Sequence, residues 1–261
     1  MADLSPGSPS PGASRPPWSR FTTATPDGAS LPTDVATYGP GLPTEAELRL
    51  LGSLEGKRVL DLGCGAGHAS VAFARAGAKV IAVDPAPEQV EATRRAAEEA
   101  EVRIEVQQAN LAELAFVRAD GIDVAFAAYS LAEVPDLDRV FRQVHRVLRP
   151  EAPLVFSLPH PALTMFVAGP TALQPSSGSP PAPVRTYHDD TPYVVDRGGD
   201  RVTDVPRTTS GVFTSLLRAN FRVDQLLEPP ARREQVPAAQ WTEAMAWVPP
   251  TLLLRARKHG T

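Results

Sequence analysis

The stretch Val59-Leu60-Asp61-Leu62-Gly63-Cys64-Gly65-Ala66-Gly67 decides the reading of this chain. An apolar run carrying one acid passes into three glycines at alternate positions, and a helix-forming segment follows. That order is a strand, a tight turn and a helix N-terminus. Glycine is needed where the backbone turns with φ > 0, or where a ligand must approach without a Cβ in the way. A helix start leaves free N–H groups and the positive end of a dipole. The loop therefore suits a small ligand with an anionic group. Dinucleotide sites use G-x-G-x-x-G. Gly63 and Gly65 fit that spacing, but His68 stands where the third glycine belongs, and the observed spacing is G-x-G-x-G.

Working outward, strands and helices alternate. Strands are predicted at 57–62, 78–83, 102–106, 122–127 and 154–158, with helices at 66–76, 87–100 and 136–148. The last helix is the clearest, because Leu137, Val140, Phe141, Val144, Val147 and Leu148 recur with the helical period. A shorter helix is expected from Thr44, which forms a capping box with Glu47, with Leu48, Leu50 and Leu51 as its apolar side. Two final strands are expected at 221–227 and 251–257. Short apolar strands alternating with helices imply a parallel sheet covered on both faces.

Residues 1–33 are rich in Pro, Ser, Gly and Thr and are expected to be disordered, Trp18 and Phe21 notwithstanding. The domain proper is expected over 34–261. Within it, 159–206 holds nine prolines and little periodicity. It is expected to be an irregular insertion covering a substrate. The chain has 261 residues, 43% of them hydrophobic, which suits one domain with a sizeable core. No apolar run reaches the ~20 residues of a membrane span, and no signal pattern opens the chain, so a cytoplasmic location is expected. With a single cysteine, neither a disulfide framework nor a thiolate metal site is expected. His188, Asp189 and Asp190 are consecutive and point different ways, so no metal site is expected there either. A net charge of −4 argues against nucleic acid as a partner.

The glycine loop closely resembles the first motif of the class I S-adenosylmethionine-dependent methyltransferases, which reads like VLDLGCGAG. The resemblance covers about 44–160, and Ala219-Asn220-Phe221 resembles the entry to the family's sixth strand. It implies a Rossmann-like α/β three-layer sandwich: seven strands, mostly parallel, with the last antiparallel between the fifth and sixth. The cofactor it implies is S-adenosyl-L-methionine. Its ligands belong at the carboxyl ends of the strands. There Gly63, Cys64, Gly65 and Gly67 form the loop for the methionine carboxylate, and Asp61 suits its ammonium. Asp84 can accept from both ribose hydroxyls. The family has an Asp after strand three. Here Asn110 stands there, retaining one acceptor oxygen toward the adenine amino group, with Leu111 against the ring. Tyr129, after strand four, is placed beside the sulfonium, as cofactor contact or as a wall of the transfer site. Tyr38, upstream of the first helix, is a further cofactor candidate. His160, just past strand five, is the one well-placed candidate base.

The implied function is methyl transfer to a small molecule, by in-line attack on the sulfonium methyl. The chain lacks the Asn/Asp-Pro-Pro-aromatic tetrad of similar N6-adenine or glutamine methyltransferases, and lacks a second cysteine for cytosine C5 chemistry. The match is nearest to methyltransferases of the ubiquinone/menaquinone type. The alternatives are a non-catalytic S-adenosylmethionine-binding protein and, disfavoured by His68, an NAD(P)-dependent oxidoreductase. Neither the acceptor nor the oligomeric state can be read from the sequence.

Overall fold

The computed structural model describes residues 31–39, 41–166, 181–197, 200–236 and 241–260. Trp18 and Phe21 lie outside them. In chain order the strands are β1 (Arg58–Leu62), β2 (Lys79–Asp84), β3 (Ile104–Gln108), β4 (Val124–Ala128), β5 (Pro153–Pro159), β6 (Tyr193–Arg197), β7 (Asp200–Asp204), β8 (Phe221–Leu227) and β9 (Thr251–Lys258). The helices are α1 (Glu45–Leu48), α2 (His68–Arg75), α3 (Pro87–Glu99), α4 (Leu137–Val147), α5 (Pro161–Thr164) and α6 (Thr209–Arg218). Seven strands form one sheet in the order β3-β2-β1-β4-β5-β9-β8. Strands β1 to β5 run parallel, and β9 pairs antiparallel with both β5 and β8. This is the Rossmann-like α/β architecture with the last strand inserted beside the fifth.

Strand alternation distributes the core over both faces. Leu60, Leu62, Ala125, Ala127, Leu154 and Phe156 pack under α4 and α6. Val59, Val80, Val124, Phe126 and Val155 pack with Phe73 of α2 on the other face. The same alternation turns Asp61 toward α2. All six apolar residues of the 136–148 pattern are buried. Asp136 caps α4, its Oδ1 accepting from the Arg139 N–H at 2.8 Å.

Several boundaries moved for physical reasons. Strand β3 starts two residues later than predicted, because Glu101 takes the left-handed conformation (φ 55°) and Val102 N–H donates back to Ala97 C=O. Helix α1 ends at Leu48, since Arg49 is left-handed (φ 51°). Leu50 and Leu51 are buried as expected, but beyond the helix, where their N–H groups donate to the Glu45 carboxylate at 3.0 and 2.8 Å. The segment 159–206 is not irregular throughout: it contains α5 and the antiparallel β6–β7 hairpin. No helix among the described residues is long and apolar enough to cross a membrane.

Candidate cofactor site

The strand order reverses between β1 and β4, and ligands of open α/β sheets bind at such a switch point, outside the carboxyl ends. A cleft of about 350 Å³ lies there. It is lined from 61–69 after β1, from 84–89 after β2, by Asn110 and Leu111 after β3, and from 126–135 around β4. Leu31, Pro32, Val35 and Thr37 close it from the N-terminal side.

The three glycines of the loop serve three purposes. All are left-handed, with φ of 72°, 56° and 86° at Gly63, Gly65 and Gly67. A Cβ on Gly63 would overlap Ser130 Cβ, so this glycine permits close packing of β1 against the loop after β4. A Cβ on Gly67 would stand 3.0 Å from Thr93 Cα of α3. A Cβ on Gly65 would meet nothing nearer than Gln89 Oε1 at 4.0 Å. Only Gly65 therefore faces open cleft, where a ligand must pass.

The loop's own N–H groups are mostly engaged by the protein. Those of Gly63 and Cys64 donate to Val83 C=O at 2.7 and 3.1 Å, and that of Gly65 donates to Asp84 Oδ2 at 3.0 Å. The first turn of α2, by contrast, has N–H groups with no intrahelical acceptor.

The two acids differ. Asp61 is fully buried and receives a hydroxyl hydrogen bond from Ser70 at 2.6 Å. Burial, and then the negative charge of Asp84, push its pKa up to about 7. Asp84 is held by two backbone donors, Gly65 N–H on one oxygen and Ala86 N–H on the other, both at 3.0 Å. Each carboxylate oxygen has a second lone pair, so two vicinal hydroxyls still find acceptors there. Cys64 Sγ lies 3.4 Å from Thr93 Oγ1, and burial raises the thiol's pKa well above normal, which leaves it inert. Burial also depresses His68, at the start of α2 on the cleft wall.

The structure relocates some expected groups. Asn110 lines the cleft, and its Oδ1 accepts from Ala112 N–H at 2.9 Å, so the side chain shapes its own turn and keeps one lone pair of that oxygen for a ligand. Tyr38 is fully buried behind the cleft wall against Phe126, its hydroxyl donating to Glu45; Val35 and Thr37 do the lining. His160 is not in the cleft. Its Nδ1 accepts from Ala162 N–H at 3.0 Å as the N-cap of α5, which leaves Nε2 to donate to Glu228 Oε1 at 2.8 Å. Both ring nitrogens are thus engaged within the protein. Tyr129 does line the cleft, in a left-handed conformation (φ 61°) that a bulky residue adopts only when its surroundings impose it. Its hydroxyl is bonded to Thr251 Oγ1, leaving the ring as a wall.

Sequence reasoning missed Ser70, Gln89, Thr93 and Ser130. Ser130 Oγ donates to Leu62 C=O at 2.5 Å, fastening the loop after β4 to the end of β1. Gln89 and Thr93 stand one helical turn apart on α3, a spacing that puts both on one face of a helix following Asp84. Thr93 donates to Gly65 C=O at 2.8 Å.

The described part of 159–206 does not line this cleft. It meets the outer side of the 130–134 turn instead. Val205 N–H donates to Ala132 C=O at 3.1 Å, and Arg207, just beyond the segment, donates to the carbonyls of Leu131, Ala132 and Val134.

This fold and cleft define a Rossmann-like nucleoside-cofactor domain. Residues 59–151 match a family model described as a methyltransferase domain. Over 108 residues the chain is 37% identical to the ubiquinone biosynthesis O-methyltransferase of Bordetella avium, a match covering 41% of this chain and 45% of that protein. The chain thus spans less than half the length of the curated relatives it matches. An S-adenosylmethionine-dependent methyltransferase structure from Mesorhizobium loti superposes with a TM-score of 0.66 at 28% identity, over 81% of this chain and 95% of the other. The [4+2]-cyclase SpnF superposes at 0.59 and 18% identity, covering 83% and 80%, and shares the fold. Residues 59–151 thus match a methyltransferase domain, and the chain as a whole has the fold of S-adenosylmethionine-dependent methyltransferases.

Proposed function

We propose that this protein transfers the methyl group of S-adenosyl-L-methionine to a small-molecule acceptor by in-line attack. One observation carries the reading: Asp61, the open face of Gly65 and Asp84 lie along a single cleft at the switch point, offering carboxylates of different character at two places. When bound, the cofactor supplies a sulfonium methyl that is already electrophilic. Asp84 accepts from the ribose hydroxyls, and Asp61 faces the methionine ammonium. The α2 N-terminus takes the carboxylate, and Leu111 packs on the adenine. Tyr129 and Phe126 wall the transfer point. With Tyr129 and His160 both engaged elsewhere, the chain's contribution is alignment and exclusion of water, worth about 7–11 kcal/mol in favourable cases. We assign the cover of the acceptor to Leu31–Thr37, which lines the cleft and is tied down where Arg75 donates to Thr33 Oγ1 at 2.8 Å.

Titration with S-adenosylmethionine and with NAD(P) tests the cofactor. Binding of the second without the first sinks the reading. The engagement of the Tyr129 hydroxyl and of both His160 ring nitrogens within the protein favours a second reading, cofactor binding without methyl transfer. Labelled methyl groups appearing in a small-molecule fraction of cell extract support the enzyme; bound cofactor with no labelled product supports the alternative.

A further inference from the structure

Gln89 is buried at 4% exposure on the first turn of α3, and neither its Oε1 nor its Nε2 has a hydrogen-bond partner. A buried carboxamide left unpaired is costly, and replacing it with an apolar group of the same shape removes the cost. The side chain lines the cleft between the two features that the cofactor must touch. Its Oε1 lies 4.0 Å from where a Gly65 Cβ would be, on the open side of the loop. Five residues earlier, Asp84 holds the Gly65 N–H. Asp84 is acceptor-only when ionised, so it satisfies the protons of a vicinal diol and leaves the hydroxyl oxygens without a donor. The carboxamide Nε2 is the donor at hand, and three rotatable side-chain bonds let it swing from its sealed position toward the diol.

We propose that Gln89 is a cofactor-binding residue that donates from Nε2 to a ribose hydroxyl oxygen, completing with Asp84 a donor–acceptor pair for the diol. This rests on the cofactor assignment above. The cost of the unpaired amide is borne by the free protein and relieved on binding.

The test is calorimetric titration of wild type and Gln89→Leu with S-adenosylhomocysteine and with its 2′,3′-dideoxy form, together with the melting temperature of each ligand-free protein. Gln89→Leu is expected to weaken S-adenosylhomocysteine binding about tenfold and to raise the ligand-free melting temperature by a few degrees. Its affinity for the dideoxy form is expected to match wild type. A merely structural glutamine would lower the melting temperature and weaken both ligands alike. That result overturns the proposal, as does affinity for S-adenosylhomocysteine unchanged within twofold. Should Gln89→Leu fail to fold, Gln89→Met carries the same test. Wild type that binds neither ligand would refute the cofactor assignment itself, an outcome distinct from a flat response to the substitution.

Discussion

The two halves of the cleft are built differently. The half at the ends of β1 and β2 is held by contacts close in sequence: Gly65 to Asp84, Asp61 to Ser70, Thr93 to Gly65. The half at the end of β4 is held from far away. Tyr129 is fixed by Thr251, Ser130 by Leu62, and the 130–134 turn by Arg207. The first half carries Asp61 and Asp84, the two acids proposed to contact the cofactor. The second supplies a shaped wall whose geometry depends on the completed fold. Damage to the first should therefore appear as lost affinity in an intact protein, and damage to the second as lost stability accompanied by poorer turnover.

The two glycines test that division most sharply. Gly65→Val strains a left-handed position and puts its side chain in the ligand's path, so it should lower stability by about 1–3 kcal/mol and, in the folded protein, reduce S-adenosylmethionine affinity at least ~100-fold, since overpacking a tight contact costs several kcal/mol. Gly63→Ala collides with Ser130 Cβ across the boundary between the halves and strains a left-handed position. It should lower stability by about 1–3 kcal/mol, seen as a drop in denaturation midpoint. If both substitutions lose affinity at equal stability, the halves are not separable.

Next in size is Arg207→Met. The half-buried guanidinium serves the carbonyls of the 130–134 turn, and removing it takes away the side-chain donor to Val134 C=O. A loss of about 2–3 kcal/mol is expected, with cofactor affinity within about threefold of wild type. Chemical denaturation and titration on the same variant check both parts.

A pH dependence distinguishes the two acids. Asp61 is held up to about 7 by burial foremost and by Asp84 second. The empty cleft thus keeps a proton on Asp61 below that pH, and a cationic ammonium must drive it off. Affinity for S-adenosylmethionine should rise by up to about tenfold per pH unit below about 7 and flatten above it. Asp61→Asn should remove the slope. The same shift has the opposite sense for the empty protein. Its native state binds the proton more tightly than the unfolded chain, so this group's contribution to stability is complete at low pH and is lost as pH rises from about 4 to about 7.

The smallest effect is expected at His160. His160→Ala removes the cap of α5 and should cost about 1 kcal/mol, with His160→Asn restoring most of it and cofactor affinity unchanged in both. Loss of turnover at constant stability would return the histidine to the chemistry.

Legibility in the sequence follows the same line between near and far. The glycine loop, Asp61, Asp84 and α4 were readable because each is specified within a few residues by turn geometry or helical period. Strand β8 was read at its observed bounds, Phe221–Leu227. Tyr38 and His160 were misplaced because their partners, Glu45 and Glu228, are fixed by packing that no local pattern reports. The β6–β7 hairpin was missed although its signal was present: β-branched runs on either side of Gly198-Gly199, a dipeptide suited to a two-residue turn. Asn110 was read for its acceptor toward a ligand, when an Asn at the start of a turn bonds its own backbone first.

Strand β9 follows β8 in the chain yet lies between β5 and β8, pairing Pro153 with Arg257 and Phe221 with Lys258. During synthesis, β8 therefore has no place in the sheet until β9 has left the ribosome. Until then β5 presents an open edge, and such edges recruit strands from other chains. Expression yield should thus depend on how quickly the codons for 251–258 are read and on chaperones that shield β5 in the interval.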